Sequence, residues 1–228
     1  MYCNNLSNLF FREFSFCMEI NNQTFRARHL AVTKNTFKNV TTKIDLYELT
    51  SKDKKFLEKL KDSVDFDKSL RDIPEFDRKR WQKVFNYAVE SAQDADSKAY
   101  LAVSNSRPCG ILSFFDDIKS FYLDAICDIP QPNGKRVNYT GSTLFYQMFK
   151  LAEELKIKLI KLSAVIDGPI DVVSKYKEKG FKEIGMDDEY VKMSCNKYEI
   201  KEQLKKLSSN IQYKTVNSEN KNLEDLII

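Results

Sequence analysis

The sequence predicts a mixed α/β fold in which a mostly antiparallel sheet is flanked by helices. Three observations carry that prediction. "AYLAVS", "CGILSFF" and "FYLDAICDI" are β-rich runs separated by the short polar turns "NSRP" and "DDIKS", which is the signature of an antiparallel meander. Two stretches ahead of them carry apolar residues at helical spacing. Behind them come a helix and then another apolar run, and two strands of one sheet joined through a helix form a parallel pair with a right-handed crossover.

In chain order, residues 1 to 42 are polar and asparagine-rich with scattered aromatics, and they read as an N-terminal extension in which Met18 opens a second plausible beginning. "KIDLYELT" alternates like a strand, and Thr50 or Ser51 then caps a helix through "KDKKFLEKLKDS", with Phe56, Leu57 and Leu60 on one side. The acidic "VDFDKSLRDIPEF" is broken by Pro74. "DRKRWQKVFNYAVESAQ" returns to helix, with Trp81, Val84, Phe85, Ala88 and Val89 as its buried stripe. After the meander, a helix opens at Ser142 and "IKLIKLSAVI" follows as a largely buried strand. "DGPIDVVSKYKEKG" is a short helix ended by Gly180, before the closing strand pair "FKEIGM" and "EYVKMSC". The main domain therefore spans 43–196, and residues 197–228 form one more helix and a polar tail.

Composition narrows the function. Five cysteines lie far apart with no CxxC pair, and His29 is the one histidine, so neither a disulfide framework, a metal site nor a histidine-based triad is indicated. This cysteine usage suits a reduced, cytoplasmic setting. No apolar run approaches the ~18 residues of a membrane-spanning helix. The net charge of +4 is 37 cations against 33 anions scattered along the chain, too diffuse to point to nucleic acid.

The informative stretch is "GKRVNYTGSTLFYQMFKLAEELK", Gly134 to Lys156. Lys135 and Arg136 stand just ahead of a helix N-terminus that is itself partly positive, and like signs crowded together suggest an absent anion. A glycine at such a junction permits a sharp turn, and the first-turn amides then serve as donors. The loop is neither a P-loop nor a GxGxxG.

The order of elements from about Lys43 to Cys195 resembles the GNAT superfamily of acyl-CoA-dependent N-acyltransferases. In that family the loop before the long helix follows Gln/Arg-x-x-Gly-x-Gly/Ala, and its amides bind the pyrophosphate of coenzyme A. "RVNYTG" puts Arg136 first and Gly141 last, with Tyr139 where the first glycine is usual. "SKYKEKGFKEIG" is similar to the family's Tyr-x-x-x-Gly-Phe segment and assigns Tyr176, Gly180 and Phe181. It departs at Pro169 and Lys175, where family members usually have asparagine and an apolar residue. The resemblance implies a sheet whose fourth and fifth strands splay apart, with the cofactor's pantetheine arm pairing with the exposed backbone of Ile126, Cys127, Asp128 and Ile129. It further implies phosphate contacts along Arg136, Val137, Asn138, Tyr139, Thr140, Gly141 and Ser142. Acetyl-CoA would be the acyl donor, with no metal.

Tyr176 is then the general acid, because a phenol of pKa about 10 is matched to protonating a departing thiolate of pKa about 8.5. Asp124 is the first candidate base for the incoming amine, with Asp128 or water as alternatives. Period two sets Asp124 and Asp128 on one face of the strand, opposite Phe121, Leu123, Ala125 and Cys127. Cys127 reads as a small core residue rather than a nucleophile. The acceptor is a small-molecule amine, a protein lysine or an N-terminus. Asp62, Asp65, Asp67, Asp72, Glu75 and Asp77 could rim its site and attract a cation, although Lys68 and Arg71 largely balance them. The alternative is a non-catalytic acyl-CoA sensor or interaction module of the same fold.

Overall fold

A computed structural model of the chain describes residues 27–37, 40–166, 171–216, 220–221, 223 and 226. Residues 1 to 26 of the expected extension, including Met18, lie outside the described residues, as does Pro169. The described chain runs β1 (Ala27–Phe37), β2 (Val40–Leu49), α1 (Lys54–Ser63), α2 (Phe66–Ser69), α3 (Glu75–Gln93), β3 (Ser97–Ser104), β4 (Arg107–Asp117), β5 (Ser120–Asp128) and α4 (Thr140–Glu154). It continues with β6 (Leu159–Val165), α5 (Val172–Glu178), β7 (Lys182–Met186), β8 (Tyr190–Asn196), α6 (Lys197–Ser208), β9 (Ile211–Thr215) and β10 (Asn220–Lys221). The strands form one ten-stranded sheet in the order β10-β1-β2-β3-β4-β5-β6-β8-β7, with β9 also pairing β1. Every pair is antiparallel except β5 with β6, which α4 joins.

The sheet reaches further in both directions than the expected 43–196. β1 falls in the stretch assigned to the N-terminal extension, and β9 in the polar tail. The inward face of β1 includes Thr33 and Asn35, both fully buried, so polarity does not mark which face of the strand is inward. Both side chains find partners: Thr33 Oγ1 donates to the Ile44 carbonyl at 3.2 Å, and Asn35 Nδ2 to Thr143 Oγ1 at 3.3 Å.

Each face of the sheet has its own core. Leu57, Leu60, Phe85 and Val89 of α1 and α3 pack with Tyr47, Leu101 and Ile111 on one face. Leu144, Met148 and Phe149 of α4 pack with Leu46, Leu112, Ile160 and Leu162 on the other. β5 feeds both. Phe121 and Leu123 point to the α4 side, whereas Ala125, Cys127 and Ile129 point to the α3 side. A regular strand cannot do this, because positions two apart share a face. The cause is a β-bulge: Leu123 pairs Phe114 and Ala125 pairs Ser113, so Asp124 has no cross-strand partner. The sequence expectation that Asp124 and Asp128 share a face is thereby corrected. The extra residue turns Asp124 towards α3, while the resumed alternation puts Asp128 with Ile126, which packs on the α4 side.

Gly110 on β4 lies under the first turn of α4, where any Cβ would collide with Cγ2 of the buried Thr140. Gly110→Ala is expected to destabilise the fold by about 1–3 kcal/mol. Urea unfolding would check this, and an unchanged midpoint would show that α4 can lift without cost.

Candidate functional site

β5 and β6 pair only from Ser120↔Leu159 to Leu123↔Leu162, although β5 continues to Asp128 and β6 to Val165. Beyond the bulge, β5 keeps β4 on one side and leaves its other edge open. The Ile129 amide donates to the Cys109 carbonyl at 2.9 Å. By the alternation of an antiparallel ladder, Cys127 also faces β4, while Ile126 and Asp128 present their backbone groups to the gap. Of the four residues assigned to cofactor pairing, then, two have their backbone groups committed to β4. The Asp128 carbonyl is also occupied, accepting from Trp81 Nε1 at 3.0 Å. Ile126 remains, with the Asp128 amide, as the open edge.

The open edge leads through Pro130 and Pro132 into a tight turn at Gly134, whose φ of 73° is natural for glycine. Next comes Arg136, whose guanidinium lies 4.3 Å over the Trp81 ring rather than against a carboxylate. Burial pushes the Asp128 carboxyl up, and nearby Arg136 opposes that shift. Val137 packs against the α4 core, and its carbonyl accepts from Thr140 Oγ1 at 2.9 Å. Asn138 is exposed. Tyr139 is the N-cap of α4, with φ of 69° and ψ of 5°, a left-handed conformation that tyrosine adopts at a cost. The sharp turn thus falls at Tyr139, not at Gly141 as the glycine in the sequence suggested. The backbone takes the form a glycine would give it.

The first amides of any helix lack intrahelical partners, and no side chain caps those of α4. Built at Gly141, a Cβ would have nothing within 4 Å. Ser142 Oγ accepts from Lys179 Nζ at 2.9 Å, and burial holds that ammonium below the ordinary lysine value. An uncapped helix start, open space around Gly141, Arg136 in the loop before it and Lys179 on Ser142 suit a phosphate-bearing ligand. Sequence reasoning missed Lys179 and the second role of Trp81. The tryptophan's helical spacing already accounted for it as core, and nothing in the local pattern of Lys179 points back to Ser142.

Across the gap, Tyr176 sits on α5 with its ring edge-on to Phe145 and Phe181, at centroid distances of 6.1 and 5.9 Å. Gly180, at φ of 85°, ends this helix, and the Phe181 amide donates back to the Tyr176 carbonyl at 3.1 Å. Burial pushes the Tyr176 phenol up to about 12, with the Cys127 thiol a smaller contributor. Cys127 is itself fully enclosed, and burial raises its thiol well above the ordinary range, which does not suit a nucleophile. Asp124 accepts from the Tyr87 phenol at 2.8 Å. Half of the acids proposed for the rim are internally engaged: Arg78 pairs with Asp67 at 3.0 Å, Lys79 with Glu75 at 2.6 Å, and Asp65 caps α2 through the Lys68 amide at 2.9 Å. Among the described residues no helix is long and apolar enough to cross a membrane.

No protein-family model matches the sequence, and neither does any curated protein. Solved structures do superpose on it. Apo FdhC, a nucleotide-linked sugar GNAT, superposes with a TM-score of 0.51 at 16% identity, over 80% of this chain and 98% of its own. An aminoglycoside 6'-acetyltransferase type Ii gives a TM-score of 0.48 at 16% identity, over 66% and 96% of the two chains. The PaiA N-acetyltransferase from Thermoplasma acidophilum, in complex with coenzyme A, gives 0.47 at 19% identity, over 67% and 98%. The chain has the mixed, splayed-sheet fold of the GNAT superfamily.

Proposed function

We propose that the protein is an N-acetyltransferase that moves an acetyl group from acetyl-CoA to a primary amine by direct attack. One observation carries the reading: the unpaired edge of β5 runs straight to the uncapped N-terminus of α4, a strand-shaped track ending at an anion site. Acetyl-CoA would supply the thioester and the phosphates. Ile126 and the Asp128 amide would hold its extended arm. The amides of Thr140, Gly141 and Ser142, with Arg136 and Lys179, would hold the phosphates. Asp124 would accept the amine's proton directly or through water, and Tyr176 would give a proton to the departing sulfur. The three described cysteines are free, which fits a reduced, cytoplasmic setting.

The test is a panel of primary amines with acetyl-CoA, scored by release of free thiol. Amine-dependent release supports the enzyme. Coenzyme A binding with no turnover on any amine would favour the alternative, an acyl-CoA sensor. Asp124→Asn sharpens the assignment of the base. An alkyl amine of pKa about 10.4 is almost wholly protonated near pH 7 and increasingly neutral above pH 10, so the variant should be impaired at neutral pH and nearly silent at alkaline pH. A uniform loss across pH would assign Asp124 to structure or binding, and full activity throughout would leave proton removal to Asp128 or water.

A further inference from the structure

On the α3 face of the sheet, the mouth of the splay holds one carboxylate among three tyrosines. Ile160, Leu162 and Ala164 of β6 and Val191, Met193 and Cys195 of β8 turn into the α4 core, so Ser163, Val165, Tyr190 and Lys192 turn the other way. This side is open: Tyr190 is 38% exposed, Tyr122 39% and Tyr87 50%. Tyr122 reaches across from β5 and shares a hydrogen bond with Ser163 Oγ at 3.0 Å, one position past the last β5–β6 pair. Tyr87 descends from α3 to donate to Asp124. Tyr122 stands two residues before Asp124 on β5, and Tyr190 pairs with Val165 on the far side of the splay, so both rings share this face with Tyr87 and its carboxylate partner. Burial first and then Asp124 push the Tyr87 phenol up to about 12, with smaller contributions from Tyr122 and Tyr190. Among the described residues Asp124 makes no ion pair; its one partner is a neutral phenol.

We infer that this cluster is the acceptor subsite, and that it selects a monocationic alkyl ammonium by the faces of Tyr87, Tyr122 and Tyr190 with Asp124 as counter-ion. The inference rests on the acyl-transfer reading for what happens next, but not for binding. Aromatic faces attract ammonium groups, and a half-buried carboxylate without a cation supplies the charge. Two lysines flank the cluster on this face of the sheet and would disfavour a second positive charge there. Lys161 lies beside Tyr122 in register at the closed end of the splay, and Lys192 sits opposite Ser163, held by Asp187 at 3.5 Å. A second ammonium on the same ligand would meet one of them.

The experiment is calorimetric or NMR titration of the full chain, without acetyl-CoA, using butylammonium, tetramethylammonium, 1-butanol and spermidine. Tetramethylammonium cannot be acylated, so it reports recognition separately from transfer. The expected result is that both monocations bind, butanol does not, and spermidine binds no more tightly than butylammonium. Tyr122→Leu and Tyr190→Leu should each weaken monocation binding about three- to tenfold, with unfolding midpoints little changed because these rings are exposed. Tyr87→Phe, which keeps the ring, should retain most of the affinity, and Asp124→Asn should weaken it about tenfold or more. Equal binding of butanol and butylammonium, clear preference for spermidine, or unchanged affinity in both leucine variants would overturn the inference. Monocation binding with no acetyl transfer to any amine would support it while overturning the acyl-transfer reading. Acetyl transfer to neutral arylamines with no ammonium binding would do the reverse.

Discussion

Tyr176→Phe is expected to lower turnover by about a hundredfold or more while leaving acetyl-CoA affinity nearly unchanged, since loss of a general acid typically costs that much. The ring packs edge-on against Phe145 and Phe181, and phenylalanine preserves that packing, so the melting temperature should hold. The hydroxyl has no hydrogen-bond partner among the described residues. Its removal therefore breaks nothing in the resting protein and is felt only as negative charge grows on the leaving sulfur, which places the loss in kcat rather than in binding. Burial raises this pKa to about 12, so the neutral, proton-donating form persists until the pH approaches that value. The wild-type pH profile should accordingly show no fall from Tyr176 through the neutral and mildly alkaline range. Steady-state kinetics together with a direct acetyl-CoA titration would settle the matter. A variant with normal kcat would sink the general-acid role, and one that lost only affinity would reassign Tyr176 to cofactor binding.

Gly141→Asp should abolish thermal protection by coenzyme A. At a hundredfold excess over the dissociation constant, ligand-linked stabilisation amounts to about 2.7 kcal/mol, and the variant should show almost none of it. The reason is charge and placement together. The new side chain starts from a Cβ with no neighbouring packing within 4 Å, in the first turn of uncapped α4, where its carboxylate can compete with phosphate for the first-turn amides. The sign for the free protein is opposite. An acidic residue in the first turn of a helix is favourable by about 0.3–1 kcal/mol, so the ligand-free melting temperature should stay level or rise. A damaged fold would lower both measurements, and that difference makes the result readable. A full melting shift in the variant would put the cofactor elsewhere on the molecule.

The meander, the α4 crossover and the Tyr176 to Phe181 helix end were legible because each rests on local chemistry. Polar turns bound apolar runs, and a glycine stands where φ must be positive. What escaped is non-local or conformational. β1 was hidden because Thr33 and Asn35 take core positions, which polarity alone cannot reveal: the Thr33 hydroxyl donates to β2 and the Asn35 Nδ2 to Thr143 of α4. The bulge at Asp124 inverts which residues of β5 face which core, and an alternation rule has no means of counting an extra residue. Of the assigned site residues, Asp124 and Tyr176 both come to the splay, on opposite faces of the sheet. Trp81 had been fully explained as helix packing, so its indole N–H, which takes the Asp128 carbonyl, left no surplus signal in the pattern. Tyr139 shows the converse: the family-like glycine is missing, yet the surrounding structure imposes the same backbone.

The pairing of β9 with β1 has a consequence for how this chain is made. Ala31 lies beside Thr215 and Asn35 beside Ile211, so the outer ladder of the sheet joins two ends of the described chain. During vectorial synthesis, β1 and β2 emerge early and can close as a hairpin within microseconds, since only two residues separate them. The other edge of β1 must then wait until Ile211 to Thr215 have been made before its β9 partner exists. Until that moment a row of unpaired amides and carbonyls is displayed to neighbouring nascent chains. Late, long-range closure of this kind raises contact order and slows the last folding step. Chains stopped short of Ile211 should therefore stick to one another through β1, in a way that sedimentation of the truncated and full-length proteins would reveal.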